Sequence, residues 1–382
     1  MIKKKLSDIS KLINGYAFKS DKYVSSGVRV IRIANVQDGF ISDEQPCFYP
    51  IDCLSYLGEA ILQENDLLMS LTGNVGRVAL LEKEMLPAGL NQRVECIRPN
   101  NEISKEYLYY FFKSNKFKLE AIKNSTGIAQ LNMSTKWLGD YEIPIYDQEI
   151  TSKIISCLST IEKAIITQEK QLNLLDELIK SRFVEMFGDL KDTVRLGDCC
   201  DVHARIGWQA LTQKEHMLSG EYMLITGTDF KNNEIDYSTC VYVSKERYEM
   251  DPHIILKNDD VLITKDGTIG KVAVVHNLPK PATLNGGVFV VRPDNRFNKE
   301  YISYVFKGPL FEEHVEKSKT GATIKHLNQK FLIEFKIPVP SMEKQIEFAE
   351  FSKEVDKSKF VVQKRIELYK ELLNKKMDEY FN

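Results

Sequence analysis

The chain has 382 residues, 43% hydrophobic and 28% charged, with a formal net charge of -2. That length holds two or three domains with sizeable cores, in a composition ordinary for a water-soluble protein. A charge so near zero excludes global attraction to DNA or to an anionic membrane, so any nucleic-acid surface must be a local basic patch. The seven cysteines, at 47, 53, 96, 157, 199, 200 and 240, form no C-x2-C pair, and the six histidines complete no zinc pattern. They read as reduced thiols of a cytoplasmic protein. The opening MIKKKLSDIS leads into no apolar h-region, and no apolar run approaches the ~20 residues of a membrane span. Neither a signal peptide nor a membrane partner is expected.

In chain order, a turn-rich start at Asn14-Gly15 leads into the β-branched run Val28 to Ile33. Strands are predicted around Asp66–Met69 and Val78–Leu81, joined by a turn at Gly73 and Gly76. Tyr107 to Lys118, rich in aromatics, predicts one short buried helix, and a strand ending in Ile143-Pro144 follows. From Ile150 a seam of period 3.5 runs through Ile154, Leu158, Ile161, Ile165, Gln168, Leu172, Leu175 and Ile179. No Gly or Pro interrupts it before Gly188, which predicts a rod of roughly 55 Å.

A shift of 194 residues then repeats the pattern. It carries Gly73 and Gly76 onto Gly267 and Gly270, and Leu90-Asn91 onto Leu284-Asn285. It carries Arg98-Pro99 onto Arg292-Pro293, Thr126-Gly127 onto Thr320-Gly321, and Ile143-Pro144 onto Ile337-Pro338. The rod repeats as well: Leu172 falls on Ile366, Leu178 on Leu372 and Phe187 on Phe381. Two copies of this length are a duplication, not a solenoid. The expected fold class is mixed α/β, with two duplicated globules and two long helices packed as an antiparallel coiled coil. The boundaries read are 1–149 and 189–343 for the globules, and 150–188 and 344–382 for the helices.

The paired globule-plus-helix layout resembles the specificity subunit of Type I restriction-modification systems. The segment Lys180 to Asp189 (KSRFVEMFGD), the Gly-x-x-Gly turns and the Thr-Gly segments before an Ile-Pro strand carry the likeness. The resemblance implies that each globule is a target-recognition domain reading one half of a split site in double-stranded DNA. It implies that the helices set the spacer and dock two methyltransferase subunits that methylate adenine with S-adenosylmethionine. Restriction motor-nuclease subunits would complete the complex, and this chain itself would need no cofactor. The physics agrees, since a duplicated reader on a rigid spacer demands half-sites at a fixed separation.

Three segments are candidate DNA contacts. In the glycine turns, Thr72, Asn74 and Arg77, with Lys265, Thr268 and Lys271, can reach phosphates or base edges; the bland alternative is an ordinary hairpin. Gly270-Lys271 is not a phosphate-binding loop for ATP, because Val272 stands where Ser or Thr is needed. Gln92 can pair with adenine and Arg93 with guanine, whereas the second copy reads Asn285-Gly286-Gly287, so the shared Asn is better read as framework. Gln130, Thr323 and Lys325 lie in the Thr-Gly segments, which are either loops laid on DNA or helix caps. His326 is read as a surface group. Arg205 and Trp208 are read as core more readily than as DNA contacts.

On the helices, the partner-binding seam is Leu158, Ile165, Leu172, Leu175, Ile179, Phe183, Phe187, Ile366 and Leu372. A second apolar face at Ile155, Ile166, Leu174 and Leu178 exceeds what self-packing needs and suits a docked subunit. The chain has no Pro-Pro pair, so it lacks the motif an adenine methyltransferase requires. Glu334-x-Lys336, in a predicted buried strand, lacks an Asp partner for nuclease chemistry. The expectation is a non-catalytic DNA reader. The rival is a non-catalytic coiled-coil scaffold that binds protein partners, and an enzyme with an unrecognised site is the weakest reading.

Overall fold

Short runs of buried aliphatic residues, punctuated by glycine and asparagine turns, build the same pair of sheets twice. The computed structural model describes residues 2–127, 130–231, 234–318 and 327–381, without the side chains of Trp208 and Ser318. It divides into two compact units, Met1–Lys170 with Gln363–Asn382, and Gln171–Val362.

The first unit opens with β1 (Ile2–Lys5), the single turn α1 (Leu6–Ile9) and β2 (Ser10–Asn14). Next come β3 (Val28–Ile31), β4 (Phe48–Tyr49), β5 (Leu67–Ser70), β6 (Val78–Leu80), β7 (Ala88–Leu90) and β8 (Val94–Pro99). One sheet runs β2-β8-β5-β6; the other runs β4-β3-β7, with β3 and β7 parallel. Every residue of β5 is buried. Such a strand reads as a continuous apolar run because both of its faces are covered.

The aromatic stretch makes two helices, not one: α2 (Lys105–Lys113) and α3 (Asn115–Lys123). Ser114 is the reason. Its extended backbone stops α2, and its hydroxyl accepts the Phe117 N–H to start α3. Then follow α4 (Thr135–Asp140), β9 (Glu142–Ile145), paired antiparallel with β1, and α5 (Gln148–Phe187). At 40 residues, α5 is about 60 Å long.

The second unit repeats the plan. Its strands begin with β10 (Thr193–Arg195), β11 (Cys200–Ala204), β12 (Tyr222–Ile225), β13 (Phe230–Lys231), β14 (Glu234–Ile235) and β15 (Val241–Val243). After α6 (Lys245–Glu249) come β16 (Val261–Thr264), β17 (Val272–Val274), β18 (Ala282–Leu284) and β19 (Val288–Pro293). The unit continues with α7 (Lys299–Lys307), α8 (Pro309–Ser318), α9 (Gln329–Ile333), β20 (Lys336–Pro338) and α10 (Met342–Phe381). Its sheets run β11-β19-β16-β17 and β15-β12-β18. Register is preserved between copies, with Leu67 opposite Ile97 in one and Val261 opposite Val291 in the other.

Within each unit the two long helices lie antiparallel. In the first, the Tyr146 hydroxyl donates to the Tyr380 carbonyl, and Lys370 pairs with Glu169 at 2.9 Å. Ile154, Leu158, Ile165, Ile366, Leu373 and Met377 are buried there. In the second, Lys359 pairs with Asp176 at 2.5 Å and Arg182 with Glu347 at 2.8 Å, with Leu172, Leu175 and Ile179 half-buried. Leu372, expected in the seam, is 37% exposed.

The helix ends complete the cores. Phe381 packs edge-on to Tyr107 and Phe111 in the first unit. Phe187 does the same with Tyr301 and Phe348 in the second, beside Phe183. Thus Phe183 and Phe187, read as seam residues, touch α10 through Phe348 but also belong to the core of the second globule. Each globule is also tied to the helix that follows it. Tyr109, Tyr110 and Lys113 converge on Glu162, and Tyr304 donates to Asp356 at the equivalent position.

All seven cysteines are free thiols. Among the described residues no helix is long and apolar enough to cross a membrane, and no three His, Cys, Asp or Glu side chains are grouped to hold a metal.

Candidate nucleic-acid interface

The hairpin between β5 and β6 turns on Gly73 and Gly76, both left-handed at φ 76° and 78°; its counterpart turns on Gly267 and Gly270 at φ 69° and 84°. Side chains are disfavoured at such angles, so both turns require glycine. Ser70 braces the loop from inside, donating to the Asn74 carbonyl and accepting the Arg77 N–H. Thr264 does the same with Thr268 and Lys271.

The structure brings the three candidate segments of the first copy together. Leu71 N–H donates to the Arg93 carbonyl, Gly73 N–H to the Leu131 carbonyl, and Met133 N–H to the Leu71 carbonyl. Among the described residues the second copy repeats two of these links, Lys265 N–H to the Gly287 carbonyl and Leu327 N–H to the Lys265 carbonyl. In the first copy Thr126 and Asn132 form an antiparallel bridge, and the helix that follows is capped by Ser134.

Side chains divide into holders and presented groups. Thr72 donates to Asn132 Oδ1 at 2.9 Å, and Arg77 donates to Gln37 Oε1 at 2.6 Å, so both brace the loop. Asn91 closes its turn by accepting from Val94 N–H and, through Oδ1, from Arg93 N–H; Asn285 accepts from Val288 N–H in the same way. Asn74, Gln92, Arg93 and Gln130 are exposed, as are Thr268 and Lys271. Half-buried Lys265 lies over the Phe289 ring at 5.4 Å. Thr323, Lys325 and His326 lie outside the described residues.

Arg205 is a support, not a surface group. It is buried and donates to the Leu284 carbonyl and to Thr283, holding the strand before Asn285. Glu334 and Lys336 are exposed rather than buried: Glu334 ends α9 and pairs with Arg195.

Glu95, two residues past Arg93, had no signal in the sequence. Phe289 occupies its place in the second copy. Glu95 is fully buried, neither carboxylate oxygen has a partner, and burial pushes its pKa from 4.5 up to about 7. A carboxyl with a raised folded pKa binds more protons folded than unfolded, so stability falls as pH rises from about 4.5 to about 7. Glu95→Gln is expected to gain about 3 kcal/mol over the native chain above pH 7, and almost nothing near pH 4.5. Denaturant unfolding of both chains across that range checks it; a constant difference would show that Glu95 does not titrate there.

Two globules of one topology, each with a left-handed glycine hairpin and closed by a long helix end, define a duplicated architecture. The chain belongs to the Type I restriction modification DNA specificity domain family, whose model matches residues 1–176 and 189–370. It is 23% identical over 323 residues to the Type I restriction enzyme MjaVIII specificity subunit of Methanocaldococcus jannaschii, spanning 78% of this chain and 74% of that one. It is 32% identical over 187 residues to the EcoAI specificity subunit of Escherichia coli, spanning 46% of this chain and 32% of that one. The fold is shared with the Type I S subunit from M. genitalium at a TM-score of 0.55 and 14% identity, over 100% of this chain and 96% of that one.

Proposed function

We propose that this chain is the DNA-reading subunit of a Type I restriction-modification complex and has no catalytic activity of its own. Each globule reads one half of a split duplex site through its loop cluster, and the long helices set the spacer. The observation that carries this reading is one backbone framework built twice with different exposed side chains. Gln92 and Arg93 in the first copy stand where the second has Gly286 and Gly287. Framework fixes the approach to DNA, and divergent side chains give the two halves different sequences.

The same duplication leaves apolar side chains exposed on the helices. Among them are Ile166 and Leu368 in the first unit and Leu174, Leu178 and Phe360 in the second. Ile166 and Phe360 are equivalent under the duplication, as are Leu174 and Leu368. We assign this surface to two methyltransferase subunits, which carry S-adenosylmethionine, with motor-nuclease subunits joining them in the cytoplasm.

Adenine-methylation mapping of host DNA, with and without this gene, tests the reading. A split motif of fixed spacer is expected to vanish on deletion. Gln92→Ala or Arg93→Ala is expected to relax one half only, each losing about 1–3 kcal/mol of discrimination. Methylation that is unchanged by deletion of an expressed gene overturns it. A scaffold that binds only protein would show no sharply salt-dependent DNA affinity.

A further inference from the structure

Gly15 and Tyr16 lie against the segment that carries Gln92 and Arg93. Tyr16 N–H donates to the Leu90 carbonyl at 2.7 Å, and Gln92 N–H returns a bond to the Tyr16 carbonyl at 3.1 Å. A Cβ on Gly15 would fall 2.2 Å from the Asn91 backbone, so only glycine permits this approach. The contact fixes Tyr16 beside the exposed Gln92. Tyr16 is 39% exposed and its neighbour Tyr56 is 50% exposed, with ring centroids 5.8 Å apart. Phe18 stands edge-on behind Tyr16 at 5.1 Å and in turn meets buried Tyr49 at 4.9 Å. Tyr16 is therefore a partly exposed ring braced from the core through Phe18.

The second copy has an equivalent. Asn14 is opposite Glu95 in the first sheet and Ala204 is opposite Phe289 in the second, so the residue two places on is Tyr16 in one and Ile206 in the other. Ile206 is 49% exposed. Both copies thus present an apolar side chain at this point, flat in one and branched in the other.

Resting on the DNA-reading proposal above, we infer that Tyr16 is a further specificity-determining residue, its ring edge taking the 5-methyl of a thymine in the base step beside the one met by Gln92. The methyl is the apolar feature on a base edge in the major groove, and it is the one an apolar side chain can distinguish. Ile206 takes the same role in the other half-site.

The test is selection of binding sites from a randomised duplex pool by the full chain, co-purified with its methyltransferase partner. The chains compared are the native one, Tyr16→Ala, Tyr16→Phe and Gln92→Ala. The native chain is expected to enrich a split motif, and Tyr16→Ala to relax one T·A pair in the half that Gln92→Ala also relaxes. Tyr16→Phe is expected to keep that pair, which separates the contact from loss of folding. Replacing the thymine by deoxyuridine is expected to weaken the native chain about 4-fold, the worth of one buried methyl, and to leave Tyr16→Ala unmoved. An unchanged motif with Tyr16→Ala overturns the inference, as does a uniform loss of affinity with no base relaxed. A native complex that enriches no split motif instead overturns the DNA-reading proposal beneath it.

Discussion

Phe187→Ala is expected to destabilise the second unit by about 3–5 kcal/mol, the cost of removing a fully packed aromatic ring. The ring is buried and its centroid lies 5.1–5.4 Å from those of Phe183, Tyr301 and Phe348. It is the last residue of a 40-residue helix that begins in the other unit. Its loss therefore reports whether the helix end is part of the globule's core. Val184→Ala, at a position 52% exposed on the same helix, is the control and should change stability by no more than about 0.5 kcal/mol. Denaturant unfolding, followed by a probe placed in each unit, distinguishes them. Phe381→Ala should produce the matching loss in the first unit, where its ring meets Tyr107 and Phe111. A Phe187→Ala chain no weaker than the control would mean that the helix end merely rests on the globule.

Asp66→Ala is expected to cost the first unit about 3 kcal/mol, because it strands a partly buried guanidinium. Asp66 accepts from Gln63 N–H at 2.8 Å and holds Arg98 with two bonds, at 2.8 and 2.6 Å. Arg98 also donates to the Ile61 carbonyl, so it clamps the entry to β5 against β8. The second copy repeats the clamp, with Asp260 accepting from Lys257 N–H and from Arg292. The side chain of Asp66 is 6% exposed and that of Arg98 is 26% exposed, which places the expected cost at the low end for a buried pair. The measurement is a double-mutant cycle with Arg98→Met. The double replacement should lose less than the sum of the singles, because the orphaned charge has gone. Additive losses would show that the two side chains stabilise the unit independently.

The sequence determined whatever depends on local pattern. The period of 3.5 announced the long helices, and a shift of 194 residues announced the duplication. The two glycine hairpins were legible because a left-handed turn restricts the residue at that position itself. The framework role of Asn91 and Asn285 was legible from their recurrence beside divergent neighbours. Even local pattern misled at Ser114, whose cap divides one apolar run into two helices.

Tertiary structure alone decided which segments meet. Residues 71–73, 93 and 131–133 are joined by backbone hydrogen bonds, and such bonds leave no side-chain signature along the chain. The same holds for Tyr16, whose place beside Gln92 follows from strand pairing, and for Arg77 and Arg205. Arg77 was read as a DNA contact and Arg205 as core more readily than as one; no local pattern announced that Arg77 donates to Gln37 or that Arg205 donates to the Leu284 carbonyl. Glu95 is the sharpest case. A carboxylate in a run of apolar residues resembles an exposed strand position, and only the covering of both faces of its sheet makes it a buried, unpartnered acid. Periodicity is written residue by residue, whereas burial and pairing belong to the assembled sheet.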